Sequence, residues 1–95
     1  MENNGILQEV KRIIGEAMHG DAIEEDITLE SQVGYNLGAE FFDVENIIST
    51  IERKFSICID VKELNGIGWD HWESITVKSL VDAIKEAVSD ISKHK

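Results

Sequence analysis

Apolar residues recur along the chain at helical spacing in three places. Ile6, Leu7, Val10, Ile13, Ile14, Ala17 and Met18 form one stripe, with Lys11, Arg12 and Glu16 on the opposite side. That spacing predicts a helix over about 4–18, with Asn3 or Asn4 as N-cap and Gly20 as the stop. Phe41, Val44, Ile47, Ile48, Ile51 and Phe55 form a second stripe and predict a helix over about 41–55. Glu40, Asp43 and Glu45 crowd its start and Arg53 and Lys54 its end, as the helix dipole favours. Val77, Leu80, Val81, Ile84, Val88 and Ile91 form a third stripe, over about 76–91, with Thr76 as N-cap.

The intervening stretches lack that period. Residues 19–40 are strongly acidic, through Asp21, Glu24, Glu25, Asp26 and Glu30. A connection of that length in a compact domain must be pinned down or functional. Ile23, Ile27, Leu29, Val33, Tyr35 and Leu37 are the expected pins. Ser56–Val61 alternates like a strand, but a single short strand has nothing to pair with. Residues 60–75, with Gly66, Gly68, Trp69 and Trp72, predict a loop carrying one or two short helices. The tail Ser92–Lys95 is expected to fray. The expected architecture is a single all-α domain over 1–95, ordered from about 4 to 91: a small bundle of three long helices and one or two short ones.

Charge narrows the range of partners. Nineteen acidic residues face nine basic ones, a formal net charge of -10. Such a surface repels nucleic-acid phosphates and anionic lipid heads and attracts a protein with a basic patch. Composition is otherwise that of a globular chain, 42% hydrophobic and 29% charged. No apolar run approaches the ~20 residues of a bilayer span. The start, Met1-Glu2-Asn3-Asn4-Gly5, lacks the basic and apolar regions of a signal peptide, so the expected setting is cytoplasmic; the expected state is a monomer. Cys58, the one cysteine, stands in the apolar run Phe55-Ser56-Ile57-Cys58-Ile59 and is expected to be a buried, inert thiol.

The residues of an enzyme site are missing. His19, His71 and His94 are far apart and not at a metal-site spacing, so no metal is expected. The acidic loop lacks the ligand order of an EF-hand. No phosphate-binding glycine loop or nucleophile elbow is present, and the serines have no recognisable base partner. Catalysis by this chain alone is not expected.

The segment Leu37-Gly38-Ala39-Glu40-Phe41-Phe42-Asp43 resembles the attachment region of acyl carrier proteins, where a Leu-Gly-Ala/Ile-Asp-Ser-Leu-Asp run opens the second helix. The likeness continues through Ile47, Ile48, Ile51, Glu52 and Phe55 into Ile57 and Ile59. Upstream, Val10–Glu16 resembles the family's first helix. Downstream, Glu73–Val77 with Leu80–Ile84 resembles the approach to its last. The likeness spans roughly residues 5–90, with Asp60–Trp72 longer than in compact members. At its centre the sequence departs. The family's serine aligns with Phe41, the preceding aspartate with Glu40 and the following leucine with Phe42. The family serine carries 4'-phosphopantetheine through a phosphodiester, which needs a hydroxyl oxygen that phenylalanine lacks. The nearest serines are Ser31, in the loop, and Ser49, about two turns into the helix. Ser74, in Glu-Ser-Ile, stands before the last helix rather than the second.

The resemblance therefore implies a non-enzymatic relative of acyl carrier proteins, with no cofactor, that binds a protein partner, such as an enzyme of fatty-acid or polyketide metabolism. Two alternatives stand beside it: a true carrier with a relocated serine, and a domain that holds an acyl chain non-covalently between its helices. Family members meet their enzymes largely through the acidic second helix, which nominates Glu40, Phe41, Phe42, Asp43 and Glu45 as the docking residues. Phe41 also continues the stripe of Val44 and Ile48, so a place in the core is open to it. Trp69 and Trp72 are three residues apart and have the same two options, core cover or interface anchor.

Overall fold

The computed structural model describes residues 3–18 and 24–93. Its long helices are α1 (Asn3–Ala17), α2 (Phe41–Phe55) and α4 (Val77–Lys93), with a short α3 (Val61–Asn65) between the last two. Two 3-10 segments, Glu24–Asp26 and Trp69–Ser74, complete the helical elements. Among the described residues there is no strand. A single antiparallel bridge joins Gln32 to Thr76. The fold is the small all-α bundle that the three stripes predict.

The boundaries differ slightly from expectation. α1 opens at Asn3, the first of the described residues, so its N-cap, like Gly20, lies outside what the structure describes. α4 runs through Ser92 to Lys93, beyond the point where fraying was expected.

The core is aliphatic. Ile6, Val10 and Ile14 of α1, Val44, Ile47 and Ile51 of α2, and Val77, Leu80 and Ile84 of α4 are each at most 1% exposed. β-branched residues are only fair helix formers, so these helices draw their stability from tertiary packing. Each such side chain contributes about 1.5–3 kcal/mol by leaving water. None of the six aromatic residues is among the buried ones.

The long connection is pinned as expected by Ile27 and Val33, which are buried, and by Leu29 and Leu37, which pack on the core. Tyr35 is not a pin, at 65% exposed, and Ile23 lies outside the described residues. The connection also caps α4. The N–H groups of Val77 and Lys78 donate to the carbonyls of Ser31 and Leu29, both at 2.9 Å. The Ser79 N–H donates to Thr76 Oγ1 at 3.1 Å, the N-cap bond read from the sequence. These bonds supply acceptors to donors that a helix start leaves without intrahelical partners. Gly34 is required here, since a Cβ on it would lie 2.5 Å from the Glu73 Cα. That close approach fixes the Trp69–Ser74 segment relative to the connection that leads into α2.

The α2–α3 link explains the strand-like alternation. Phe55, Ile57 and Ile59 pack against the core, while Ser56, Cys58 and Asp60 are exposed. Cys58 is thus an exposed thiol, not the buried one expected from its apolar neighbours. In extended backbone successive side chains point to opposite sides, and Cys58 has the outward phase. The Glu52 carboxylate accepts from the Ile59 N–H at 2.8 Å and holds the segment in place.

Candidate docking surface

α2 starts in the open. Ala39 is buried and its N–H donates to the Val33 carbonyl at 2.9 Å, which anchors the chain immediately before the helix. Glu40 is extended, and its N–H donates to Asp43 Oδ2 at 2.9 Å. Asp43 therefore ties down the helix start and is half-buried, while Glu40 and Glu45 are exposed.

Phe42 is 77% exposed and Phe41 39% exposed. Phe41 is not a core residue, although it falls on the stripe of Val44 and Ile48. At the first helical position its ring has no preceding turn to lie over, and it leans across to the Trp69–Ser74 segment instead. The Phe41 ring centroid lies 5.2 Å from that of Trp69 and 6.1 Å from that of Trp72, and Phe42 is edge-on to Phe41 at 6.3 Å. All these are tilted or edge-to-face geometries, which the ring quadrupoles favour. The two tryptophans differ in burial. Trp72 is half-buried and packs against the core, while Trp69 is 39% exposed. Four of the six aromatic residues of the chain thus meet at one place on its surface.

The tryptophans are held there by Asn65, a residue the sequence reading did not single out. Its Nδ2 donates to the carbonyls of Gly68 and His71, each at 3.0 Å. Its Oδ1 accepts from the N–H groups of Ile67 at 2.9 Å and Gly68 at 2.7 Å. Two donors and two acceptor sites are all that an amide side chain has. Gly68, at φ 111° and ψ -157°, takes a conformation essentially closed to other residues. The Asn65-Gly66 pair, a common turn signal, was the visible hint of this construction.

The chain leading into and through most of α2 carries charge of one sign. Residues 13–52 include ten acidic residues and no lysine or arginine. The nearest cations flank the stretch at Arg12 and Arg53, and Arg12 pairs with Glu9 and Glu16. Glu40, Glu45 and Asp70 stand exposed beside the aromatic group in sequence, with no cation on α2 before Arg53.

The other serines have different settings. Ser31 is 8% exposed, and its Oγ accepts from the Thr28 N–H at 3.0 Å. Ser74 Oγ donates to the His71 carbonyl at 2.8 Å. Ser49 is exposed on α2. Among the described residues no set of three or more His, Cys, Asp or Glu side chains could hold a metal ion, and no helix is long and apolar enough to cross a membrane. No protein-family model and no curated protein sequence matches the chain.

Proposed function

We propose that this chain is an acyl-carrier-like binding domain without a prosthetic arm, which docks a basic protein partner through the start of α2. The observation that carries the reading is the aromatic group of Phe41, Phe42, Trp69 and Trp72, in which three rings are exposed and Trp72 is half-buried against the aliphatic core. Aromatic side chains usually dominate cores because they bury the most apolar area. Exposed beside acidic residues, Phe41, Phe42 and Trp69 have the form of an interface anchor with a polar rim. Phe42 offers the most exposed ring, and Glu40 and Glu45 supply charge that steers a cationic surface. The sequence resemblance supports an enzyme of acyl metabolism as the partner and cytoplasm as the setting. The phenylalanine at position 41 supports the absence of a phosphopantetheine arm.

The test is capture on immobilised parent and Phe42→Ala chains in parallel. A basic protein retained by the parent and lost from the variant supports the reading, and identical retention on both contradicts it. Incubation of the soluble chain with coenzyme A and a broad-range phosphopantetheinyl transferase should leave its mass unchanged. Addition of one arm, abolished by Ser49→Ala, would make the chain a carrier with a relocated site.

A further inference from the structure

A second surface lies away from the aromatic group. α3 is only five residues long, so it covers little of the 17-residue α4 beside it. The uncovered face of α4 carries Ser79, Asp82, Ala83, Glu86 and Ala87, at the i, i+3, i+4, i+7 and i+8 positions of one helical stripe. Across from it stand Cys58–Asp60, Glu63 and Leu64. Between the two walls runs an open groove of about 610 Å³.

Three properties of this groove point to one occupant. Ile59, Leu64, Ala83 and Ala87 give it apolar contacts, and the two alanines leave room for another backbone to approach closely. The stripe from Ser79 to Ala87 is about 12 Å long, a little over two helical turns. Asp60 and Glu63 line one wall and Asp82 and Glu86 the other, while among the described residues no lysine, arginine or histidine lines it. Lys78, just outside, already pairs with Asp82 at 2.6 Å, so Asp60, Glu63 and Glu86 are the carboxylates left to meet a cationic partner. A second copy of a chain with formal charge -10 would bring carboxylates against carboxylates.

We infer that the α3–α4 groove is a second docking site, for a cationic amphipathic helix of a protein partner that lays small apolar residues over Ala83 and Ala87 and lysine or arginine against the two carboxylate walls. In helix-in-groove recognition of this kind the incoming helix supplies anchors at i, i+3, i+4 and i+7. The inference is independent of the α2 surface, because none of the aromatic residues lines the groove.

The test uses the full chain and a fluorescein-labelled alanine–leucine–lysine peptide of about 18 residues, long enough to form helix in water. Its affinity is followed by anisotropy at low salt. Glu63→Gln with Glu86→Gln should weaken binding about tenfold, against less than twofold for Glu25→Gln with Glu30→Gln, which remove the same charge from the exposed loop before α2. Ala83→Phe, which fills the groove without changing charge, should also weaken it about tenfold. Should that variant not fold, Ala87→Phe takes its place. Phe42→Ala should bind the peptide as the parent does, which separates this site from the α2 surface. Equal losses from the groove pair and the loop pair would overturn the proposal, since net charge alone would then explain binding. Equal affinity for a peptide of the same composition interrupted by two prolines would overturn the helical occupant. A dimer in sedimentation that Ala83→Phe dissociates would put a second copy in the groove instead.

Discussion

The Phe41 ring sits 5.2 Å from the indole of Trp69, tilted by 56°, although the two residues are 28 positions apart in the chain. This contact joins the start of α2 to the loop that precedes α4. It also places both tryptophans of the protein at the proposed docking surface.

The two phenylalanines should therefore separate on substitution. Phe41→Ala removes ring contacts to both tryptophans and should cost about 1 kcal/mol in urea unfolding, with a change in tryptophan emission. Phe42, at 77% exposed, should change stability by less than about 0.5 kcal/mol when replaced by alanine. A larger loss for Phe42 would make it a structural residue and remove it as an anchor.

The helices were legible because their stripes are long and regular, and α2 begins and ends where its pattern does. Thr76 was readable as a cap from its place before an apolar run. Other features were hidden for definite reasons. The stripe rule put Phe41 with Val44 and Ile48, but periodicity carries no information about how a ring turns at a helix end. Cys58 looked buried because its neighbours are apolar, and only the phase of the extended segment shows that it faces out. The meeting of Phe41 with Trp69 and Trp72 depends on the close approach of Gly34 to Glu73 and on the four hydrogen bonds of Asn65. Neither is visible as a pattern in the sequence.

α2 ends in a left-handed residue that is not glycine. Ser56 has φ 55° and ψ 49°, and the next N–H, of Ile57, reaches back to the Glu52 carbonyl at 3.1 Å. That bond closes a Schellman turn, in which glycine avoids the Cβ clash that serine has. Ser56→Gly should stabilise the domain by about 0.5–1 kcal/mol, read from the urea midpoint at constant slope. A destabilised variant would contradict this account of the turn.

Glu9 links α1 to α2. Its carboxyl is held below the usual 4.5 first by Arg12 and then by Lys54, whose Nζ lies 3.1 Å away across the helix pair. A carboxyl lowered in this way adds stability that is fully present above the ordinary value and is lost as pH falls through the lowered one. Melting temperature should therefore fall more steeply below pH 4.5 for the parent than for Glu9→Gln, and the difference should shrink in salt. Parallel curves would show that the pair contributes nothing.

The central claim is that the start of α2 holds a partner by an aromatic anchor and attracts it by charge. The most direct measurement is titration of the captured partner with the parent, Phe42→Ala and Glu45→Lys chains, at low salt and again near 0.5 M. Phe42→Ala should weaken binding by about 2 kcal/mol or more at both salt concentrations, because a seated ring is not screened. Glu45→Lys should weaken it strongly at low salt and much less at high salt, since exposed charges are screened beyond ~10 Å at 0.1 M. Parental affinity for both variants under both conditions would contradict the claim.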